Sequence, residues 1–288
     1  MSLEALVGRR YGPVSLRVTA EKVAEFTTAT GDLAADGVAP PGWAAVVLFA
    51  VVPSFLSDPA VAPLAKVLVH VDQLFRWLRP LRLGEELEVL GTLEGVRRRG
   101  ELFFATFGVS ATDTGGVSVL EAAATFLASE QAVTRQEYDE ELEPAWDARE
   151  TNQAPLPTTL PAEGETVSML EKSAARADLV RYAGASGDWN PIHWDHAAGL
   201  AAGFPGVICH GLLMAAWVSQ AAGRVEPESF ALSQLRLRFR APLRPGVAAT
   251  IEARVTQRSP TGATLALVLR HGERELVTAD AELTAVGP

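Results

Sequence analysis

The chain has 288 residues, with 35 acidic against 25 basic side chains and a formal charge of −10; 48% of residues are apolar and 21% charged. That balance excludes a disordered chain and argues against a broad nucleic-acid surface, while the length suits two domains of ordinary size. The single cysteine, Cys209, rules out an internal disulfide.

The first residues lack the long apolar stretch of a secretory signal. The most apolar run, Trp43 to Val52, is closed by Pro53 and falls well short of the roughly 20 residues that a membrane span needs. The expectation is a cytoplasmic protein with neither membrane nor nucleic-acid partners.

In chain order, VTAEKVAEFTTATGD places Val23 and Phe26 at helical spacing and stops at Gly31, followed by Asp32. PPGWAAVVLFAVV, from Pro40, predicts a long helix that is apolar nearly all round and therefore buried. Strand-like runs follow: Val67 to Val89, then LFFATFGVSA and VSVLEAAATFLA. Between about Ser129 and Glu165 the acidic YDEELEP and the proline-rich NQAPLPTTLP have linker composition, with Trp146 between them.

The second half repeats the order. SAARADLVRYAGASGD presents Leu179 and Tyr182 and stops at Gly187-Asp188; FPGVICHGLLMAAWVSQAA, from Phe204, predicts a second buried helix beginning at Gly211. In the next run Leu235, Leu237 and Phe239 alternate with Arg236, Arg238 and Arg240, the period of a strand with one buried face. The punctuation matches as well, PLRLG at Pro80 beside PLRPG at Pro242. Each half thus reads as a strand, a short helix, a buried helix and about four antiparallel strands. The expected architecture is α+β, a double hot-dog in which each antiparallel sheet wraps a long apolar helix. The boundaries are an N-terminal repeat over 1–130, a linker over 131–165 and a C-terminal repeat over 166–288.

The repeats differ where chemistry is expected. Sixteen residues separate Gly-Asp from Pro-Gly in the second half against eight in the first, and the longer segment holds Asp188, Asn190, His193, Asp195 and His196. Pro191 biases Asn190 to an extended conformation, so Asp188 and His193 lie across a turn rather than along one helix. Histidine titrates near neutrality and suits proton transfer. Gly211, at the start of a buried helix, offers free N–H groups and the positive end of the helix dipole.

Two blocks, Ser186-Gly187-Asp188-Trp189-Asn190-Pro191-Ile192-His193 and Gly203-Phe204-Pro205-Gly206-Val207-Ile208-Cys209-His210-Gly211, resemble the MaoC-like hydratase/dehydratase family. The first half resembles the degenerate N-terminal repeats of two-domain members. The resemblance implies reversible hydration of an enoyl thioester to the (R)-3-hydroxyacyl thioester. It implies that Asp188 and His193 hold the catalytic water, that Asn190 orients the site, and that the Gly211 N–H faces the thioester oxygen. Trp189, Pro191, His210, Arg240 and Arg244 are expected among the substrate contacts. The substrate is expected to be an acyl-coenzyme A or acyl carrier protein; the pantetheine is part of the substrate, so no cofactor and no metal are expected, and pairing of two chains is left open. The first repeat is expected to wall an acyl tunnel with Trp43, Val46, Val47 and Phe49.

The same residue types also fit other roles. His193, Asp195, His196 and His210 are metal-ligand types, but the resemblance gives none of them to a metal, and Asp195 and His196 are expected on the exposed face of the following helix. Cys209 beside His210 invites a thiol nucleophile, but a lone cysteine at a buried helix start is more often packing. The arginine runs Arg97 to Arg99 and Arg236 to Arg244 read as wet strand faces and hairpin ends, or as a local phosphate patch. A thioesterase on the same fold and a non-catalytic acyl-thioester binder are the alternative functions.

Overall fold

A computed structural model describes residues 2–33, 36–64, 67–129 and 159–286. Most of the expected linker, including its acidic run, Trp146 and all but the last three residues of its proline-rich run, lies outside the described residues. The first repeat comprises β1 (Arg10–Arg17), α1 (Ala20–Thr30), a 3₁₀ turn (Pro41–Trp43), α2 (Ala44–Phe49), α3 (Val52–Leu56), β2 (Val67–Trp77), β3 (Glu86–Arg99), β4 (Leu102–Asp113) and β5 (Ser118–Ser129). The second comprises β6 (Thr166–Lys172), α4 (Arg176–Ser186), a 3₁₀ turn (Pro191–His193), α5 (His196–Ala201), α6 (Gly211–Gly223), β7 (Phe230–Phe239), β8 (Ala249–Ser259), β9 (Gly262–His271) and β10 (Arg274–Ala285).

The ten strands among the described residues form one antiparallel sheet in the order β1-β3-β4-β5-β2-β7-β10-β9-β8-β6. Outward from the β2–β7 junction, each half runs through its strands in the same order. The alternation that marks β7 in sequence decides its orientation: Leu235 and Leu237 are fully buried, while Arg236 and Arg238 face water. The junction pairs Asp72 with Arg238 through to Arg76 with Gln234, and it is reinforced on the wet face by Arg238 Nε on Asp72 Oδ1 at 3.0 Å and by Arg76 on Gln234 Oε1. Arg97 to Arg99 end β3 at its hairpin to β4, and Arg236, Arg238 and Arg240 are exposed on β7 and just beyond it.

In the second half α6 is buried at every position from Leu212 to Ala222 and packs against all five strands of its half-sheet. This is the double hot-dog arrangement. The corresponding helix of the first repeat is not the continuous one that its composition predicts: it breaks at Ala50–Val51 into α2 and α3. Pro53 is the reason, because it lacks an N–H and its ring clashes with the carbonyl four residues back, at Phe49. The two short helices before the glycines stop as the sequence says, with Gly31 at φ 62° and Gly187 at φ 84°, left-handed conformations that glycine adopts without strain.

The two central helices meet at a close approach. A Cβ on Gly42 would lie 3.0 Å from the Ala216 Cβ and 3.2 Å from the Ala216 Cα of α6. Gly42→Ala is therefore expected to wedge the first repeat's 3₁₀ turn off α6 and cost about 1–3 kcal/mol, read as a lower midpoint in chemical denaturation. An unchanged midpoint would mean that the two helix layers do not need this contact.

Candidate active site

Asp188 leaves α4 directly after the left-handed Gly187 and is 7% exposed. Its backbone N–H donates to Ser186 Oγ (3.2 Å), and its Oδ1 accepts from the Asn190 N–H (3.4 Å). Asn190 is extended (φ −58°, ψ 122°), as the residue before proline must be. Its side chain does two things: Oδ1 caps the 3₁₀ turn through the Ile192 N–H (3.4 Å), and Nδ2 donates to the Leu68 carbonyl of β2 (3.3 Å). The loop of the second repeat is thereby fastened to a strand of the first.

His193 closes that turn and is 6% exposed. Its Nδ1 lies 2.9 Å from the Ile208 carbonyl. A carbonyl only accepts, so Nδ1 carries the hydrogen and Nε2 keeps a free lone pair. The Ile208 N–H in turn donates to the Ile192 carbonyl (3.2 Å), which clamps the two sequence blocks together. Asp188, His193 and His210 each bring one ligand-type atom within 4.8 Å of the others. The two imidazoles are stacked, centroids 3.9 Å apart and planes 25° apart, so their in-plane lone pairs run side by side instead of converging on one ion.

A cavity of about 660 Å³ opens beside these groups, within the range of small-molecule sites. Asp188, Trp189, Asn190, Pro191, His193 and Gly211 line it from the second repeat, and Arg240 stands exposed at its edge. From the first repeat come Phe49, Pro53 and Leu56 of the broken helix, Leu68 to Val71 of β2, and Phe126. The cavity thus runs between the repeats, but three of its expected walls are elsewhere. Trp43, Val46 and Val47 lie in the core, and only Phe49 of that set reaches the cavity, where Pro53 and Leu56 from beyond the break join it. His210, expected as a substrate contact, is wholly buried behind His193 and is not on the wall. Arg244 is half-buried and also off the wall. Asp195 caps α5 through the N–H groups of Ala197 and Ala198, and His196 is exposed on that helix.

Burial sets the charges. Among the described residues nothing cationic stands against Asp188, and burial raises its carboxyl to about 7; burial lowers His193 to about 4. At neutral pH the imidazole is neutral and the proton of the pair resides largely on Asp188. Burial also pushes the Cys209 thiol up, which removes the thiolate that a nucleophilic role requires.

The first repeat also gives the wall a titratable residue that the sequence reading does not single out. His70 of β2 lies between Phe126 and Phe239, with centroids 4.8 and 5.1 Å away, and burial lowers it to about 4. A histidine inside an otherwise alternating apolar strand was the available signal. The counterpart of Asp188 in the first repeat is Asp32, whose side chain is 5% exposed with Arg224 Nη2 3.8 Å away. Lys172 donates to the Thr30 and Gly31 carbonyls (3.2 and 2.9 Å), and Gln220 donates to Thr30 (3.1 Å). Cations from the second repeat occupy the end of α1, where the helix dipole favours them.

The raised Asp188 has a consequence for stability. Between about pH 4 and pH 7 the folded state holds a proton that the unfolded state has lost, so this carboxyl makes stability fall as pH rises through that window. Asp188→Asn abolishes the effect. The variant is expected to be more stable than wild type above pH 7, by at most about 4 kcal/mol at 1.36 kcal/mol per pH unit, with the gap closing toward pH 4. The opposite contribution of His193 is common to both proteins and cancels. Denaturation midpoints at pH 4 and pH 8 measure the gap; an equal gap at both would show Asp188 ionising like an exposed carboxyl.

A family model described as "MaoC like domain" matches residues 150–271. A UPF0336 protein of Cutibacterium acnes is 34% identical over 125 residues, which span 41% of this chain and 88% of that protein. Among solved structures, a MaoC-like dehydratase superposes with a TM-score of 0.77 at 21% identity, covering 99% of this chain and 100% of the other. A conserved hypothetical protein of Mycobacterium tuberculosis, described as having a double hot-dog fold, superposes at 0.67 with 14% identity, covering 97% and 96%. The second repeat's two motif blocks, the buried loop that they build and these likenesses agree: the chain carries a MaoC-like domain over residues 150–271 on a double hot-dog fold, and it belongs to the UPF0336 family.

Proposed function

We propose that this protein is a hydro-lyase that adds water to, and removes it from, an acyl thioester, with Asp188 and His193 as its acid/base pair. The observation that carries the reading is the buried pair itself. Two titratable groups, displaced past one another in pKa so that the carboxyl lies above the imidazole, face one cavity beside the N-terminus of α6. Environments that push two groups apart from their ordinary values are how acid and base roles are divided.

In the hydration direction water bonds to carbon 3 of an enoyl thioester as the Nε2 lone pair of His193 takes one of its protons. Asp188 gives its proton to carbon 2. Negative charge that gathers on the thioester oxygen meets the N–H of Gly211, which has no acceptor within its own helix. The pair is reset when the proton passes from His193 back to Asp188, over less than 4.8 Å. Dehydration runs the same steps backward, from the (R)-3-hydroxyacyl thioester that the family resemblance implies. Asn190 holds the loop against β2, and the apolar wall from both repeats takes the acyl chain. The pantetheine arm belongs to the substrate, whether coenzyme A or carrier protein, with Arg240 near the cavity edge for its polar groups.

The test follows absorbance of the conjugated enoyl-thioester band with crotonyl-coenzyme A and longer chains. Wild type is expected to bleach the band without releasing free thiol. Asp188→Asn and His193→Ala, each shown folded, are expected to lose about 10²- to 10⁴-fold in kcat/KM. Free thiol would instead establish a thioesterase. The pH profile carries a sign: hydration needs Asp188 protonated and His193 neutral, so kcat/KM should hold between about pH 4 and pH 7 and fall above it. Activity that rises steadily above pH 7 would reverse the two roles.

A further inference from the structure

His210 takes no part in the steps above and does not face the cavity, yet it touches both members of the pair. Its side chain is 0% exposed. One face of its ring lies on His193, with centroids 3.9 Å apart and planes 25° apart; Tyr182 packs against it at 4.9 Å. Its Nε2 is 3.2 Å from the backbone carbonyl of Asp188. That carbonyl can only accept, so Nε2 carries the hydrogen, and Nδ1, buried with no partner, is left as a bare lone pair. Its own backbone supplies the N-cap of α6, where its carbonyl accepts from the Met214 N–H (3.2 Å) immediately before Gly211.

A purely structural filler is poorly served by such a residue. An aromatic hydrocarbon would stack equally well without a buried, unpaired nitrogen, which is costly to leave unmet. What only an imidazole provides here is a flat ring for His193 together with an N–H for the Asp188 carbonyl. Each requirement alone is met by other side chains: Phe stacks without donating, and Gln donates at similar reach without stacking.

We propose that His210 is a positioning residue that fixes His193 and Asp188 relative to each other and to the start of α6. It holds the first through ring stacking, the second through the Nε2 hydrogen bond and the third through the backbone. As a statement about turnover it rests on the hydro-lyase reading; as a statement about the geometry of the pair it does not.

His210→Phe keeps the stack and removes the donor; His210→Gln keeps a donor and removes the ring. Both are made in the full chain and checked for folding by circular dichroism. With an enoyl thioester, His210→Phe is expected to lose about 10- to 100-fold in kcat, the scale of a small misplacement of reacting groups, with KM little changed. The second readout needs no activity. The titration of His193 is followed by NMR, with Asp188 and the residue at 210 as the titratable or polar groups beside it. In His210→Gln no ring is stacked on His193, so the imidazole is no longer held in its buried place and its midpoint is expected to move up toward the ordinary histidine value. In His210→Phe it should stay low. Folded His210→Phe with the kcat of wild type, or folded His210→Gln with an unmoved His193 midpoint, overturns the proposal. Should wild type turn over no enoyl thioester, the hydro-lyase reading fails on its own, and the His193 midpoint in His210→Gln still decides the role of His210.

Discussion

Five residue pairs, from Asp72 with Arg238 to Arg76 with Gln234, join the two half-sheets, and most of what the molecule can do depends on that short ladder. Without it β2 and β7 would each present an open edge. With it, the first repeat's strand runs past the second repeat's loop, and the Leu68 carbonyl comes within reach of Asn190. The same register sets Phe239 and His70 on one wall, ring against ring. The cavity is therefore a product of the junction and not of either repeat alone.

The duplication has been spent differently on the two sides. Both copies end a helix in a left-handed glycine followed by an aspartate. At Asp188 the carboxyl is buried with no counter-ion and its proton affinity rises. At Asp32 burial also raises the carboxyl, but Arg224 and Lys172 pull it back. Lys172 itself is buried and lowered to about 8 by that burial. A buried charge tolerates such a place only when it is paired and hydrogen-bonded, and Lys172 has both conditions met at the α1 terminus. The first copy thus contributes fixed polar contacts between the repeats, and the second keeps a proton that can be moved.

Periodicity made the duplicated architecture readable in the sequence. Leu235, Leu237 and Phe239 against three arginines identify a half-buried strand because the period of a strand is two, and the buried face of β7 follows directly. Gly31 and Gly187 mark helix ends because few residues other than glycine adopt φ near +60 to +85° freely. The length of the first central helix was misjudged because hydrophobicity says that a segment is buried and not that it is continuous; Pro53 carried the missing information. Within the site, neighbours in sequence were legible: Asp188, Asn190 and His193 share one loop, and the cavity meets all three. Contacts made across the fold were not. His210 differs from a wall residue only in which way its ring turns from the start of α6, and His70 reaches the cavity from a strand more than a hundred residues away in the chain. Lys172 is opaque for the same reason, since a lysine ending a strand reads as exposed until α1 is seen to end above it.

The arrangement around Asp188 and His193 explains why so little polar machinery surrounds a pair that is asked to move protons. Removing both from water disfavours charge on each, so the neutral pair is the resting state, and a cation beside Asp188 would undo that by holding it ionised. The hydrogen bonds that hold the pair go to neutral groups: Asp188 accepts from the Asn190 N–H, and His193 donates to the Ile208 carbonyl. They fix orientation without supplying a compensating charge. The one further polar group in contact with both, His210, is neutral as well, kept so first by burial and then by the neighbouring His193. Three buried, oriented groups with no counter-ion among the described residues form a site in which burial disfavours charge on each, and there fixed dipoles such as the N-terminus of α6 have their largest effect.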